Sequence, residues 1–443
     1  MRADACARAL DLGDTKQFWK KVKHMGNDKA TKYASCVGGV TGDSNIAEMW
    51  KNHYANLYNS VNDGGSRERF YDRIGDNMDV CHRITPVDIV EVCRSQKRGK
   101  GAGPDGVHME AFMIGCPKLY VHLSVLFNLF LSHCYLPPAF VQSTIVPLVK
   151  LKNGNLCDVN NYRAITLSNA VTKILESLFL PLLNTHVDDC NKYQFGFKAG
   201  HSTGLCTNVF KNVISYYTQR GSHVFACFVD FSKAFDTVNY WKLFNKLLDD
   251  NINRSIVILL AYWYSHQQTC VRWKTTVSGA FCIGNGTRQG GVLSPHLFVR
   301  YIRELIDGIV DSAVGCNVGD VFYNIAYADD LVLLAPSWSA LQHLINLLYK
   351  FAGFIDMTCN ATKTVCMVFR PVCKCKALTC VFPHFLLNGM PLRFVTEFKY
   401  LGHIINNKFT DDDDMKREMR NMFMRSIILL RRYSKCSLSV NCF

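Results

Sequence analysis

The sequence predicts an α+β architecture in which helices pack under a mostly antiparallel sheet. Three observations carry that prediction. From His223 an unbroken apolar run, HVFACFVD, is followed by TVNYWKLFNKLLDDN, in which Val238, Trp241, Leu243, Phe244 and Leu247 recur at helical spacing. Residues 268–283 alternate as a hairpin does. VFYNIAYADDLVLLA reads as two strands joined by a tight acidic turn.

Taken in order, residues 1–80 read as a polar helical extension or linker, with helical stretches at 15–24 and 46–57. Residues 81–222 alternate short apolar runs with Gly, Pro and Asn punctuation. Past the hairpin, 295–310 reads as a helix beginning at Pro295, where the missing N–H costs nothing. Leu341, Leu344, Ile345 and Leu348 form a helical stripe ending near Gly353. TVCMVF, FLLNGMPLRF with a turn at Asn388-Gly389, and FKYLGHII read as closing strands.

Composition narrows the class. Lys plus Arg number 50 against 36 Asp plus Glu, a net charge of +14. So basic a chain suggests a polyanionic partner, nucleic acid being the commonest. Twenty cysteines could imply a disulfide framework, but a chain with a full apolar core needs none, and no secretory leader opens it. The thiols are expected free, the compartment reducing and intracellular. Cys366, Cys373, Cys375 and Cys380 lack paired zinc spacing and an intervening histidine. The longest apolar runs, such as 255–264, fall short of the ~20 residues of a membrane helix.

The chemistry begins with carboxylates. Asp230 ends a buried strand, where an unpaired charge is costly. Asp329 and Asp330 lie between two apolar strands. Singly, each is an ordinary turn residue. On adjacent central strands all three would share one edge, where mutual repulsion requires a cation and hard oxygen ligands suit magnesium. Two such ions ~4 Å apart serve in-line phosphoryl displacement.

FVDFSKAFDTVNY, GTRQGGVLSPHLF and YADDLVLLA, in that order, resemble the central palm motifs of reverse transcriptases. GKGAGPDGVHMEAF, IVPLVKLKNGNLCDVNNYRAITLSN, YQFGFKAGHST, NATKTVCMVF and FKYLGHII resemble the non-LTR (LINE-like) retrotransposon group. The resemblance implies a right-hand polymerase fold: fingers with the first part of the palm at 81–222, palm at 223–410, and an incomplete helical thumb at 411–443. It implies an RNA-directed DNA polymerase using two magnesium ions, with manganese as a substitute. Its partners would be an RNA template, a DNA primer or target DNA, and dNTPs, in the nucleus or cytoplasm.

Residue by residue, Asp230, Asp329 and Asp330 match the metal-binding carboxylates and Lys363 the lysine that protonates departing pyrophosphate. Lys150 and Arg163 match triphosphate-holding positions. Phe231, Phe235, Gln289 and Gly290 match the nucleotide pocket, with Phe235 beneath the sugar. Lys97, Arg98 and Lys100 in the fingers, and Arg425 and Arg432 on a first thumb helix, are expected on nucleic-acid backbone. Each has a plainer alternative: Phe235 as core, Gln289 as a turn residue, Lys363 as a strand-edge charge, the GKGAGPDG lysine as part of a solvated loop. That glycine run is not a phosphate loop, because its lysine comes too early and no Ser or Thr follows.

Two departures stand out. Ala164 replaces a usual proline in NYRAI, and Arg300 takes a position that is usually small or polar. The chain also stops inside the expected thumb, which fits a fragment or a decaying copy that retains RNA binding. An RNA-dependent RNA polymerase would carry a polar residue at Phe235, and GFKAGHST with FKYLGHII argues against intron maturases and retrons.

Overall fold

The structure is a computed structural model that describes the chain except for residues 1–7, 10–11, 13, 25–32, 76–82, 152–153, 185–192, 199, 320, 323, 373–380 and 434–443. Cys373, Cys375, Cys380 and Lys435 therefore lie outside the described residues. The chain divides into two compact units, one made of 35–396 and one of 1–34 with 397–443.

In chain order the principal helices are α1 (Thr15–His24), α2 (Asp43–Leu57), α3 (Pro86–Ser95), α4 (Pro117–His133), α5 (Ala170–Asn184), α6 (Thr203–Gln219), α7 (Tyr240–Asp249), α8 (Arg254–Ser265), α9 (Ser294–Val310), α10 (Trp338–Phe354) and α11 (Asp412–Tyr433). The principal strands are β1 (Gln142–Val149), β2 (Tyr162–Ser168), β3 (Val224–Val229), β4 (Gln268–Trp273), β5 (Thr276–Val277), β6 (Ile325–Tyr327), β7 (Asp330–Ala335), β8 (Val365–Phe369), β9 (Leu386–Leu387), β10 (Met390–Pro391), β11 (Arg393–Phe394), β12 (Glu397–Tyr400) and β13 (His403–Asn406).

The larger unit holds two sheets. One runs β6-β7-β3-β8-β11, antiparallel except for the β8–β11 pair. Every residue of β3 is buried, as befits a central strand covered on both faces. Its neighbour β7 is buried from Leu331 to Ala335. Leu341, Leu344, Ile345 and Leu348 on α10 and Phe298, Tyr301 and Leu305 on α9 extend this core. The second sheet runs β2-β1-β4-β5, with β1 antiparallel to β2 and parallel to β4. The α+β expectation holds, and the 268–283 hairpin, the α9 start at proline and the Asn388-Gly389 turn all form.

Two expectations need correction. Residues 81–222 form longer helices than the punctuation suggested, α4, α5 and α6 running 17, 15 and 17 residues. Helix α4 contains no glycine or internal proline and buries Tyr120, Leu123, Phe127, Phe130 and Leu131, a spacing of three and four. FKYLGHII is a hairpin rather than one strand: Leu401 (φ 46°) and Gly402 (φ 91°) turn the chain between β12 and β13, the positive-φ pair a two-residue hairpin needs. The helix expected at 46–57 forms over Asp43–Leu57, and its Trp50 is fully buried against Tyr162 and Trp273 of the second sheet.

In the smaller unit, Asp414 in the first turn of α11 accepts from the Ile404 amide (2.8 Å) and pairs with His403 and Arg417. Burial is the largest single influence and pushes its carboxyl up, but the Arg417, Ile404 and His403 contacts together outweigh it and hold the group at about 2. Helix α11 buries none of its side chains. Among the described residues, no helix is long and apolar enough to cross a membrane.

Candidate functional site

Strands β3 and β7 pair with Leu331 opposite Val229, so the same register brings Asp330 level with Asp230 at the end of the sheet. Asp329 occupies the turn between β6 and β7. Burial raises the proton affinity of Asp230. It does the same for Asp329, with the Asp230 charge adding to it. Asp330 is pushed up to about 6, by desolvation first and then by Asp329 and Asp230. The three carboxylates thus feel one another, as the sequence reading expected of a shared edge.

The backbone around them is firmly held. The Asp230 amide donates to Thr364 Oγ1 (3.2 Å), and the Asn360 amide donates to the Asp230 carbonyl (2.7 Å). Phe231 is buried and bridges Cys359. Asn360 Oδ1 accepts from the Thr362 and Lys363 amides, an Asx turn that sets Lys363 Nζ 4.0 Å from Asp230 Oδ2.

The acidic turn is strained. Ala328 has φ 58°, a conformation that costs a non-glycine residue ~1–3 kcal/mol. Gln194, fully buried, compensates. Its Oε1 accepts from the Ala328 amide (2.8 Å) and the Gly196 amide (2.8 Å), and its Nε2 donates to the Ala328 carbonyl (3.2 Å). A Cβ at Gly196 would stand 2.4 Å from the Ala328 nitrogen, so only glycine allows this approach. YQFGF therefore clamps YADD, a role that reading the sequence missed. The glutamine and glycine two residues apart were its signal.

The second sheet brings cations to the same region. Lys150 and Arg163 are exposed at the ends of β1 and β2. Lys150 donates to the Asn160 carbonyl (3.0 Å). Burial, followed by the charges of Arg163 and Lys363, lowers its proton affinity, while Asp236 opposes them. Lys233, also overlooked in the sequence, is exposed at φ 52°. Four cations and four carboxylates thus share one electrostatic neighbourhood.

Phe235 is partly exposed, stacked on the fully buried Phe298 ring at 4.1 Å and edge-on to Phe197 at 6.4 Å. The Gln289 carbonyl accepts from the Thr166 amide (2.8 Å). A Cβ at Gly290 would meet the Thr166 carbonyl at 2.8 Å, so the backbone that glycine admits is that of β2. Asp236, which the sequence reading did not select, is buried. Burial pushes its carboxyl up to about 6, with Tyr58, Gln289, Lys233 and Lys150 pulling the other way.

The remaining expected residues lie on other elements. Lys97, Arg98 and Lys100 are exposed just beyond α3. In the glycine run, Gly103 packs so closely on Asn169 that a Cβ would lie 2.5 Å from its side-chain oxygen; this stretch packs rather than cradles phosphate. Arg425 and Arg432 are exposed on α11, in the smaller unit. Arg300 is buried on α9, pairing with Asp250 just past α7 and donating to the Leu183 carbonyl of α5, which gives this unusual residue structural partners.

The donor set suits a hard divalent cation: oxygen ligands only, close enough for the Asp230 and Asp329 charges to raise the proton affinity of Asp330. Among the described residues, no group of three His, Cys, Asp or Glu side chains, the three aspartates included, is arranged to hold a metal ion.

Residues 150–405 match the family model of reverse transcriptase (RNA-dependent DNA polymerase). The chain is similar to the RNA-directed DNA polymerase from mobile element jockey of Drosophila funebris, 25% identical over 337 residues, covering 74% of this chain and 36% of that protein. It is also similar to the Retrovirus-related Pol polyprotein from type-1 retrotransposable element R1 of Bradysia coprophila, 25% identical, covering 71% of this chain and 30% of that protein. A third relative is the corresponding polyprotein from type-1 retrotransposable element R2 of Popillia japonica, 25% identical, covering 64% and 40%. The chain spans about a third of the length of these relatives.

Proposed function

Because the chain belongs to the reverse transcriptase (RNA-dependent DNA polymerase) family, we propose that it is the polymerase segment of a non-LTR retrotransposon protein, copying an RNA template into DNA from a primer 3′ hydroxyl. One observation carries the reading: three carboxylates gathered at one end of a sheet, with Lys363 beside Asp230 and further cations delivered by a second sheet. Asp230, Asp329 and Asp330 would hold two magnesium ions, or manganese in their stead. When bound, these would acidify the primer hydroxyl and neutralise the triphosphate.

The chain's own groups do the rest. Lys150 and Arg163 draw in the triphosphate, and Lys363, beside Asp230, gives a proton to departing pyrophosphate. Phe235 floors the sugar pocket, with Phe231, Gln289 and Gly290 shaping the surroundings. Lys97, Arg98, Lys100, Arg425 and Arg432 contact phosphates of template and primer. Residues 81–222, 223–410 and 411–443 act as fingers, palm and the start of a thumb. Such copying takes place inside the cell, in nucleus or cytoplasm.

Primer extension on a poly(rA)–oligo(dT) duplex with magnesium tests this. Incorporation of dTTP is expected; incorporation of UTP alone would instead make the chain an RNA polymerase. RNA binding without any extension would make it a relic.

The Gln194 clamp predicts a specific suppressor. Gln194→Ala should slow extension by ~10–100-fold, the strain of one non-glycine positive φ, and deprotect the Ala328 amide in hydrogen exchange. Adding Ala328→Gly removes the Cβ penalty and should restore most of the rate. If the double variant is as slow as the single, the clamp does not act through this turn.

A further inference from the structure

Asp236 is a buried carboxylate to which the chemistry above gives no part. Among the described residues no cation pairs with it directly; Lys233 and Lys150 act from further away. Its Oδ1 instead accepts two neutral hydrogen bonds, from Tyr58 Oη (3.1 Å) and from Gln289 Nε2 (3.1 Å). Such an arrangement is costly unless the carboxylate does something a neutral side chain would do less well.

The surrounding backbone is tied to both partners. The Gly286 amide donates to the Val238 carbonyl (2.8 Å) and the Thr287 amide to the Phe235 carbonyl (2.7 Å). Asn285 Nδ2 donates to the Asp236 carbonyl (2.7 Å), and a Cβ at Gly286 would stand 2.5 Å from that same oxygen. On the far side, the Gly284 and Asn285 amides donate to the Tyr58 carbonyl at the end of α2 (2.8 and 2.9 Å), and Asn285 Oδ1 accepts from the Ser60 and Val61 amides. Tyr58 lies outside residues 150–405, the part that matches the family, yet its hydroxyl reaches the same oxygen as Gln289.

A glutamine amide has a donor end and an acceptor end of nearly equal size, so shape alone does not choose its orientation. An ionised carboxylate accepts only. Facing one, Gln289 must turn its Nε2 inward and leave its carbonyl Oε1 outward. We infer that Asp236, held by Tyr58, is a positioning residue that fixes the Gln289 side chain with its acceptor end toward the incoming nucleotide. This rests on the polymerase reading of the site. It makes the segment that ends α2 part of the nucleotide pocket rather than a leader to it.

Steady-state kinetics of dTTP on poly(rA)–oligo(dT) tests the inference through a double-mutant cycle, using the full chain. Asp236→Leu should raise KM by about 10-fold, with a smaller effect on kcat, because the lost orientation acts on nucleotide binding. In a Gln289→Ala background the same change should alter KM by less than about 2-fold, since there is no amide left to orient. Tyr58→Phe removes one of the two donors and should raise KM about 2–5-fold, again only when Gln289 is present. A purely structural role predicts losses that multiply across the cycle, or a lower melting temperature with parental KM; either result overturns the inference. Should Asp236→Leu fail to fold, Tyr58→Phe decides alone, and a parental KM for it overturns the inference. A parent that extends no primer removes the polymerase reading and this inference together, whereas an active parent with multiplying losses removes only the inference.

Discussion

Asp329→Asn should lower primer extension by about three decades, roughly 4 kcal/mol of barrier, without lowering thermal stability. The two halves of that expectation have separate causes. A neutral amide is a poor ligand for a hard cation, so the chemical step loses the charge that acidifies the primer hydroxyl. Yet Asp329 is one of three carboxylates whose proton affinities burial raises, with the Asp230 charge adding at Asp329 and both neighbours adding at Asp330. Removing one charge relieves that repulsion, so the apo protein should melt no lower than its parent. Asp230→Asn should match it in rate. Asp330→Asn should cost less, since Asp330 is more exposed than Asp329 and begins strand β7. Rates come from single-nucleotide extension and stability from thermal melts without metal. An Asp329→Asn enzyme that extends at the parental rate would remove these residues from the metal chemistry.

The second large effect concerns the sugar. Phe235→Val should raise use of ribonucleotides relative to deoxyribonucleotides by ~10–1000-fold, about 1.4–4 kcal/mol of discrimination. An aromatic floor leaves no room for a 2′ oxygen, and a smaller side chain makes that room. The same ring also packs: it stacks on Phe298 at 4.1 Å, and losing that stack costs stability, on the order of 1–2 kcal/mol for a partly exposed ring. Both sugars share the stability cost, so it cancels in their ratio. Paired kcat/KM values for dGTP and GTP on one template isolate the gate. A ratio unchanged from the parent would leave Phe235 as core packing and reopen the RNA-polymerase alternative.

How much of this was legible beforehand differs from element to element. Strand β3, helices α7, α9 and α10, and the Asn388-Gly389 turn were readable because each carries its own period or turn chemistry within a few residues. The three aspartates were readable because the runs around them are strongly apolar. Helices α4 to α6 were not, since prolines and glycines punctuate them: Gly115 and Pro117 at the start of α4, Pro181 inside α5 and Gly204 in the first turn of α6. FKYLGHII hid its turn because Leu401, which adopts φ 46°, is not a residue that announces one.

The sequence by itself determined the family, the strand–turn–strand that carries Asp329 and Asp330, and the apolar strand that ends at Asp230. Those are local matters of side-chain period and turn type, decided within a dozen residues. Only the tertiary structure decided the β3–β7 register that sets Asp330 level with Asp230, the Gln194 clamp 134 residues from Ala328, and the meeting of Tyr58 with Asp236 across 178 residues. Such contacts leave no period in the chain. The register depends on backbone pairing across the sheet, and the other two on a buried polar side chain meeting partners far along the chain, since burial leaves such a group nowhere cheaper to go.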